Sequence, residues 1–493
     1  MSRRVAAWPP LVLAVAVVAL LVGVLVATVP SAQAADSDDR VPRAKCGPGA
    51  RPEPGVQGQI PRAQRISGDS TKGYWCNLKL VGQYQGTGGG IVSPIYGHCA
   101  YLGTANTGIL SGNPGVQVVD ASNPAKPRRS AVLGSTAFSI STWESLKVHE
   151  GRKLLVGAGV QSLPGIGVGA LDVYDVGRDC AKPTLLNGTG IGQLTQPIFN
   201  VAHEGGFSPD GKTYWATSAY TGQITAIDLT DPTRPRTVYT GTAGLTNHGF
   251  SFSADGRTMY GVTAVPAGLQ ILDVSDIQTR KAVPQIRQVA SLPWNDGLFS
   301  QMTVPFTSKG RKYLWTVDEA GNGGIRLVDV QDLAKPRIVR HVRLEIGLAS
   351  SAARRSQDVG GDGLFGYESH YCTIDRPKDP TALACGYVQS GIRVFDIRRP
   401  TAPKEIAYFN PAAQKGKTLL QLPNSFHAIA TYLPPVISTL SLESLADSVL
   451  RPDLTADWCM SPPKFVGRNE LWVSCSDAGF LALRFTNNAF PLR

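Results

Sequence analysis

The sequence is poor in the marks of familiar enzymes. It has no G-x-S-x-G elbow, because Gly366-Tyr367-Glu368-Ser369-His370 does not fit that spacing. It has no H-E-x-x-H, because His203-Glu204 and His149-Glu150 both lack the second histidine. Its 8 cysteines include no C-x-x-C, so a thioredoxin-like or zinc-ribbon role has no support. Gly86 to Gly90 is glycine-rich but lies between strand patterns, outside the strand–loop–helix setting of a phosphate loop. Long amphipathic helical patterns are few. The net charge of +11 is scattered over short pairs such as Arg128-Arg129, Arg354-Arg355 and Arg398-Arg399. No basic stripe interleaved with aromatics exists, which argues against nucleic acid as a partner.

What the chain does have is a repeated phrase. Gly391-Ile-Arg-Val-Phe-Asp396 returns as Gly115–Asp120, Ala170–Asp175, Gln223–Asp228, Gly268–Asp273 and Gly324–Asp329, with a worn copy at Gly479–Arg484. Short runs of Val, Ile, Leu and Phe bounded by Gly and Pro are buried strands. The closing Asp stands where each strand must turn, and its carboxylate can accept backbone N–H groups there. Proline follows in most copies, as in Asn123-Pro124, Asp231-Pro232, Pro336 and Pro400. A unit repeated seven times defines an architecture before it defines a chemistry.

These strands, closing on Asp and followed by Asn/Asp-Pro, resemble the LVIVD-repeat family over about residues 75 to 490. The resemblance implies a β-propeller and little about activity. The fold expected is therefore all-β, a seven-bladed propeller over residues 71–493. Leu78 to Tyr84 looks like the strand that follows each Asp-Pro turn, yet no repeat precedes it. The last repeat, in turn, lacks a final strand. An N-terminal strand at about 76–86 should thus close the last blade and remove the open edges.

Residues 1–34 read as a signal peptide. Arg3 and Arg4 precede an uncharged run from Leu11 to Val29, and Ala32-Gln33-Ala34 forms a cleavage site. The run is also long enough to be retained as a membrane anchor. Either way the remainder lies outside the cytoplasm. Residues 35–70 form a Pro- and Gly-rich leader, expected to be loosely ordered. In an exported chain all eight cysteines can pair. Cys372 with Cys385 and Cys459 with Cys475 each flank a short connection between neighbouring strands. For Cys46, Cys76, Cys99 and Cys180 three connectivities are open, with Cys76–Cys99 preferred.

A second phrase locates the innermost strands. His203 and His248 each stand seven residues before an Asp-Gly hairpin, at Asp210-Gly211 and Asp255-Gly256. The same register falls on Trp143 with Glu144, near Gln301 and Met302, on His370 after Glu368, and near Asp457 and Trp458. His203, His248 and His370, with Glu204, Glu368 and Gln301, are thus candidates to line one mouth of a central channel. Imidazole and carboxylate together are ligands for a transition metal. An insertion at about 411–457, with a helical pattern at Ser438 to Leu450, is placed to cap that mouth and to bring His427 near. Three functions follow as expectations. The first is a surface module that binds a protein or glycan partner. The second is a metal-dependent oxidoreductase or hydrolase. The third is a structural envelope protein.

Overall fold

The computed structural model describes residues 39–490, apart from 106–114, 160–168, 189–195, 199–201, 219–220, 244–246, 322, 359–364 and 431–451. Seven antiparallel sheets follow one another along the chain. Each repeated phrase forms the third strand of its sheet, as Val116–Asp120, Gln223–Asp228 and Gly391–Asp396 do. These strands are buried almost throughout, because neighbouring blades cover both of their faces.

The seven apolar clusters between blades close the ring. Tyr101 and Val118 of blade one pack on Leu155 of blade two. Val156 meets Tyr214 of blade three, and Trp215 meets Leu272 of blade four. Leu269 meets Leu314 of blade five, and Trp315 meets Phe395 of blade six. Val394 meets Val473 of blade seven, and Trp472 returns to Leu102 of blade one. Burying one large apolar side chain in such an interface contributes roughly 1.5–3 kcal/mol. The architecture is therefore the expected seven-bladed β-propeller.

The last blade closes as expected. Leu78–Tyr84 pairs antiparallel with Gly479–Phe485 as its outermost strand. The preceding three residues do something unforeseen. Tyr74–Cys76 pairs with Tyr408 to Asn410 and adds a fifth strand to blade six. Between the two strands Asn77 turns in the left-handed region (φ 56°). The N-terminal segment thus spans two neighbouring blades.

Two expectations need correction. The described part of the leader, from residue 39, is packed and not loose. Arg393, fully buried in blade six, lies 2.6 Å from Glu53 of the leader and 3.0 Å from Glu405. A Pro- and Gly-rich composition limits regular structure here to the short helix Arg62–Ser67 and the start of a 3-10 turn, but it does not prevent burial of individual side chains. The cysteine pairing also differs. Cys46 joins Cys76, and Cys99 joins Cys180. Cys76 sits on the edge of blade six, so Cys99 of blade one is not its neighbour. Cys372–Cys385 and Cys459–Cys475 bridge adjacent strands as expected. Four disulfides with no cysteine left over belong to an oxidising compartment. No helix among the described residues is long and apolar enough to cross a membrane. The runs 11–29 and 438–450 lie outside those residues.

Candidate functional site

At the end of the ring where the innermost strands begin, five blades converge on one carboxylate. Glu144, from the approach to blade two, is buried with its Oε2 3.1 Å from His203 Nε2 and 3.2 Å from His248 Nε2. Its Oε1 lies 3.1 Å from His370 Nε2. Glu319, at the end of the second strand of blade five, brings its Oε2 to 2.9 Å from that same nitrogen. Residues of blades two to six can meet in this way only near the propeller axis.

Local backbone features aim these side chains. The inner strands of blades four, five and six carry irregularities between Asn247 and Phe250, between Ser300 and Met302, and between Ser369 and Cys372. His248, Gln301 and His370 fall inside them. A bulge turns one side chain away from the regular alternation, here toward the axis. Gly249 lets blades four and five approach, because a Cβ there would stand 1.9 Å from the Gln301 carbonyl oxygen. Trp143 adopts a left-handed φ of 45° immediately before Glu144. Such strain in a bulky residue costs about 1–3 kcal/mol and is held only by surrounding contacts.

The proton positions on the imidazoles can be deduced. His248 Nδ1 is 2.9 Å from the Ser300 carbonyl, and His370 Nδ1 is 3.1 Å from the Met460 carbonyl. A carbonyl only accepts, so each Nδ1 carries the hydrogen. The Trp143 indole, which only donates, points its N–H at His203 Nε2 over 3.3 Å. The lone pair of His203 Nε2 is therefore taken by the indole. In the neutral tautomers the Nε2 lone pairs of His248 and His370 face carboxylate oxygens. That arrangement is repulsive unless a proton or a metal ion lies between.

Without a metal, protons take that place at His248 and His370. Burial pushes His248 and His370 down, but hydrogen bonds to Glu144 and the surrounding carboxylate charge raise them to about 9 and about 10. Burial pushes Glu144 up. The His203 charge and the hydrogen bonds of three imidazoles overcome that and hold it well below the usual range.

The remaining candidates divide. Glu204 joins the group. Its Oε1 lies 2.7 Å from Lys147 Nζ, and its Oε2 accepts from the Tyr371 hydroxyl. Burial first, then Glu144 and Glu204, push the Tyr371 hydroxyl far above its ordinary range, so it remains a proton donor. Gln301 is buried beside that hydroxyl. Glu368 turns to its own loop and accepts from the Gly366 N–H at 2.6 Å, and burial raises it to about 7. His427 turns to blade seven, with Nδ1 2.9 Å from Asp477 Oδ2. The residue before it, Phe426, packs edge-on against Trp143 with ring centres 4.9 Å apart. The start of the insertion thereby supplies an aromatic wall over the site.

Sequence reasoning missed the central role of Glu144, which the strand register nevertheless placed beside Trp143. It missed Glu319 entirely, since a second-strand position carries no such register. Lys147 and Tyr371 lie four residues and one residue beyond the register positions, Trp143 and His370, in blades two and six.

The fold and this cluster together define a seven-bladed propeller with a buried histidine–carboxylate centre on its axis. No known protein family and no curated protein sequence matches the chain. Among solved structures it is similar to the periplasmic gluconolactonase of Pseudomonas aeruginosa. The identity is 12%, the match covers 64% of this chain and 84% of that one, and the TM-score is 0.47. A candidate 6-phosphogluconolactonase from Bacteroides uniformis matches at 10% identity over 79% and 93% of the two chains, with a TM-score of 0.49. A functionally unknown protein from Desulfotomaculum acetoxidans matches at 12% identity over 65% and 84%, with a TM-score of 0.44.

Proposed function

We propose that this chain is an exported propeller enzyme that works through a divalent transition metal held on its axis. One observation carries the reading: three imidazole Nε2 atoms stand 3.1–3.2 Å from the oxygens of one buried carboxylate, and at His248 and His370 the neutral ring turns its lone pair to it. Donors about 2.0–2.1 Å from a tetrahedral metal stand about 3.3 Å apart, close to this spacing. The backbone carbonyls on His248 and His370 are the second-sphere partners that orient metal-binding imidazoles. Mixed nitrogen and carboxylate donors suit zinc, manganese, iron or cobalt. The metal would activate water or polarise a substrate oxygen. Around it, Tyr371 keeps its proton and holds Glu204 by a hydrogen bond, and Lys147 pairs with the same carboxylate. Trp143 and Phe426 wall off water. The Asp-closed strands fit an LVIVD-repeat lineage, and the Ala32-Gln33-Ala34 site fits removal of residues 1–34 on export.

A second reading, a module for a protein or glycan partner, rests on a different place. An open cleft of about 600 Å³ lies where blades seven, one and two meet, lined by Tyr96, His98, Glu150, Arg178 and Lys464.

Elemental analysis of the purified mature protein separates the two. At least one equivalent of transition metal is expected. A His203→Ala, His248→Ala double variant should lose at least one equivalent of metal while its circular dichroism stays unchanged. A wild-type protein that takes up no zinc, manganese, iron, cobalt or copper on reconstitution would overturn the metal reading. The cluster would then be an ion-paired knot, and the cleft would become the place to study.

A further inference from the structure

The donors are not arranged around one point. His203, His248 and Glu144 offer three atoms that lie within 4.8 Å of one another. His370, Glu319 and Glu144 offer a second such set. Glu144 belongs to both, and it divides its oxygens between them. Oε2 faces His203 and His248, whereas Oε1 faces His370. The two His-bearing sets do not merge into one. A single ion with bonds of about 2.1 Å cannot span ligands more than about 4.2 Å apart.

Resting on the metal reading above, we propose that the centre is dinuclear, with two divalent ions bridged by the carboxylate of Glu144. The first ion takes His203, His248 and Glu144 Oε2. The second takes His370, Glu319 and Glu144 Oε1. Two-metal sites hold their ions about 3.5–4 Å apart, a separation that one bridging carboxylate spans. Each ion then has three protein ligands and keeps positions open for water or substrate.

Charge identifies the class of substrate. Glu144, Glu204 and Glu319 contribute three negative charges, and Lys147, paired to Glu204, contributes one positive charge. The protein part is therefore two units negative. Two divalent ions turn the whole two units positive, and the site is buried. Such a centre draws an anionic oxygen ligand, a bridging hydroxide and then a small molecule with a phosphate or carboxylate head. The Trp143 and Phe426 rings beside His203 give that side of the centre an apolar wall.

The test is metal stoichiometry on the mature protein, stripped with a chelator and reloaded with Mn²⁺. Two equivalents are expected, with the multiline electron paramagnetic resonance signal of an exchange-coupled pair. Inorganic phosphate should alter that signal. His370→Ala should keep one equivalent, show an uncoupled signal and leave the circular dichroism unchanged. Glu319→Gln, a milder change, should weaken one of the two binding steps by about 10–100-fold and spare the other, if His370→Ala does not fold. One equivalent in the wild type would overturn the dinuclear centre and leave the metal reading standing. Loss of all metal in a folded Glu319→Gln would likewise indicate a single ion. No Mn²⁺ and no other divalent ion bound at all would sink both.

Discussion

A buried charge in this protein can draw its partners from distant parts of the chain. Arg393 shows this away from the candidate site. Its guanidinium is enclosed by Glu53, Glu405 and the face of Tyr408, whose ring centre is 4.5 Å away. Removing one partner of a buried ion cluster strands the others without solvent, at a cost of about 3–5 kcal/mol. Arg393→Met should therefore lower the unfolding free energy by roughly that much in guanidinium titrations. Adding Glu53→Gln and Glu405→Gln to it should restore a large part, because no uncompensated charge remains. If the single variant lost under about 1 kcal/mol, the cluster would not be as dry as its burial implies. The same dependence on distant partners decides what could be read at the candidate site. His203, His248 and His370 were legible because a hairpin signal seven residues on fixes their register. Glu144 shared that register without a hairpin of the same form. Glu319 was invisible, since its neighbours Val317 and Asp318 read only as the end of a middle strand. Nothing local says that its carboxylate reaches His370 of the next blade.

Six of the seven blades end their third strand in the same turn, and this element-scale device has a thermodynamic signature. Asp120 accepts the N–H of Ser122 at 3.0 Å, Asp228 that of Thr230 at 3.0 Å, and Asp329 that of Gln331 at 3.0 Å. Asp175, Asp273 and Asp396 do the same with Gly177, Ser275 and Arg398. An arginine eight residues on adds an ion pair at Asp120, Asp228 and Asp329. At Asp120 and Asp273 these hydrogen bonds are the leading influence and hold the carboxyl below its ordinary value. At Asp228, Asp329 and Asp396 burial works against ionisation first, and the hydrogen bonds overcome it. A carboxyl lowered by folding stabilises the protein above its unfolded pKa of about 3.9, and that contribution fades as pH falls through the folded value. The contribution of these turns should thus be level near pH 6 and fall steeply below about pH 4, with several protons taken up on unfolding. Asp228→Asn should flatten the acid limb by up to about 1.4 kcal/mol per pH unit, one proton's worth. An acid limb of unchanged slope in the variant would remove Asp228 from the account. The turn was readable from Asp and the following Pro because its chemistry is local. The bulges at His248, Gln301 and His370 were not, because they answer to packing between blades.

At the scale of the whole molecule, the ring is closed by its N-terminal segment more firmly than a single final strand would manage. Leu78–Tyr84 completes blade seven, Tyr74–Cys76 widens blade six, and the leader behind them is pinned by Cys46–Cys76. That leader also reaches toward the site. Gln59 donates to Asp358 at 2.6 Å, and the Ile60 N–H donates to the Tyr367 hydroxyl at 3.1 Å, three residues before His370. The closure strand was legible from the missing partner in the last repeat. The clasp was not, because disulfide connectivity is set by where strands end up and not by cysteine spacing. A bridge across a separation of 30 residues restricts the unfolded chain by roughly 3–4 kcal/mol in the loop-entropy view. Cys46→Ser with Cys76→Ser should lower the unfolding free energy by about that amount in denaturant titrations. If the leader positions the His370 segment, the same double variant should also bind its metal several-fold more weakly at a temperature where it is fully folded. A stability loss with unchanged metal affinity would make the clasp a device of ring closure alone. A loss under about 1 kcal/mol would mean that the buried contacts of Glu53 and Ile60 hold the leader without the bridge.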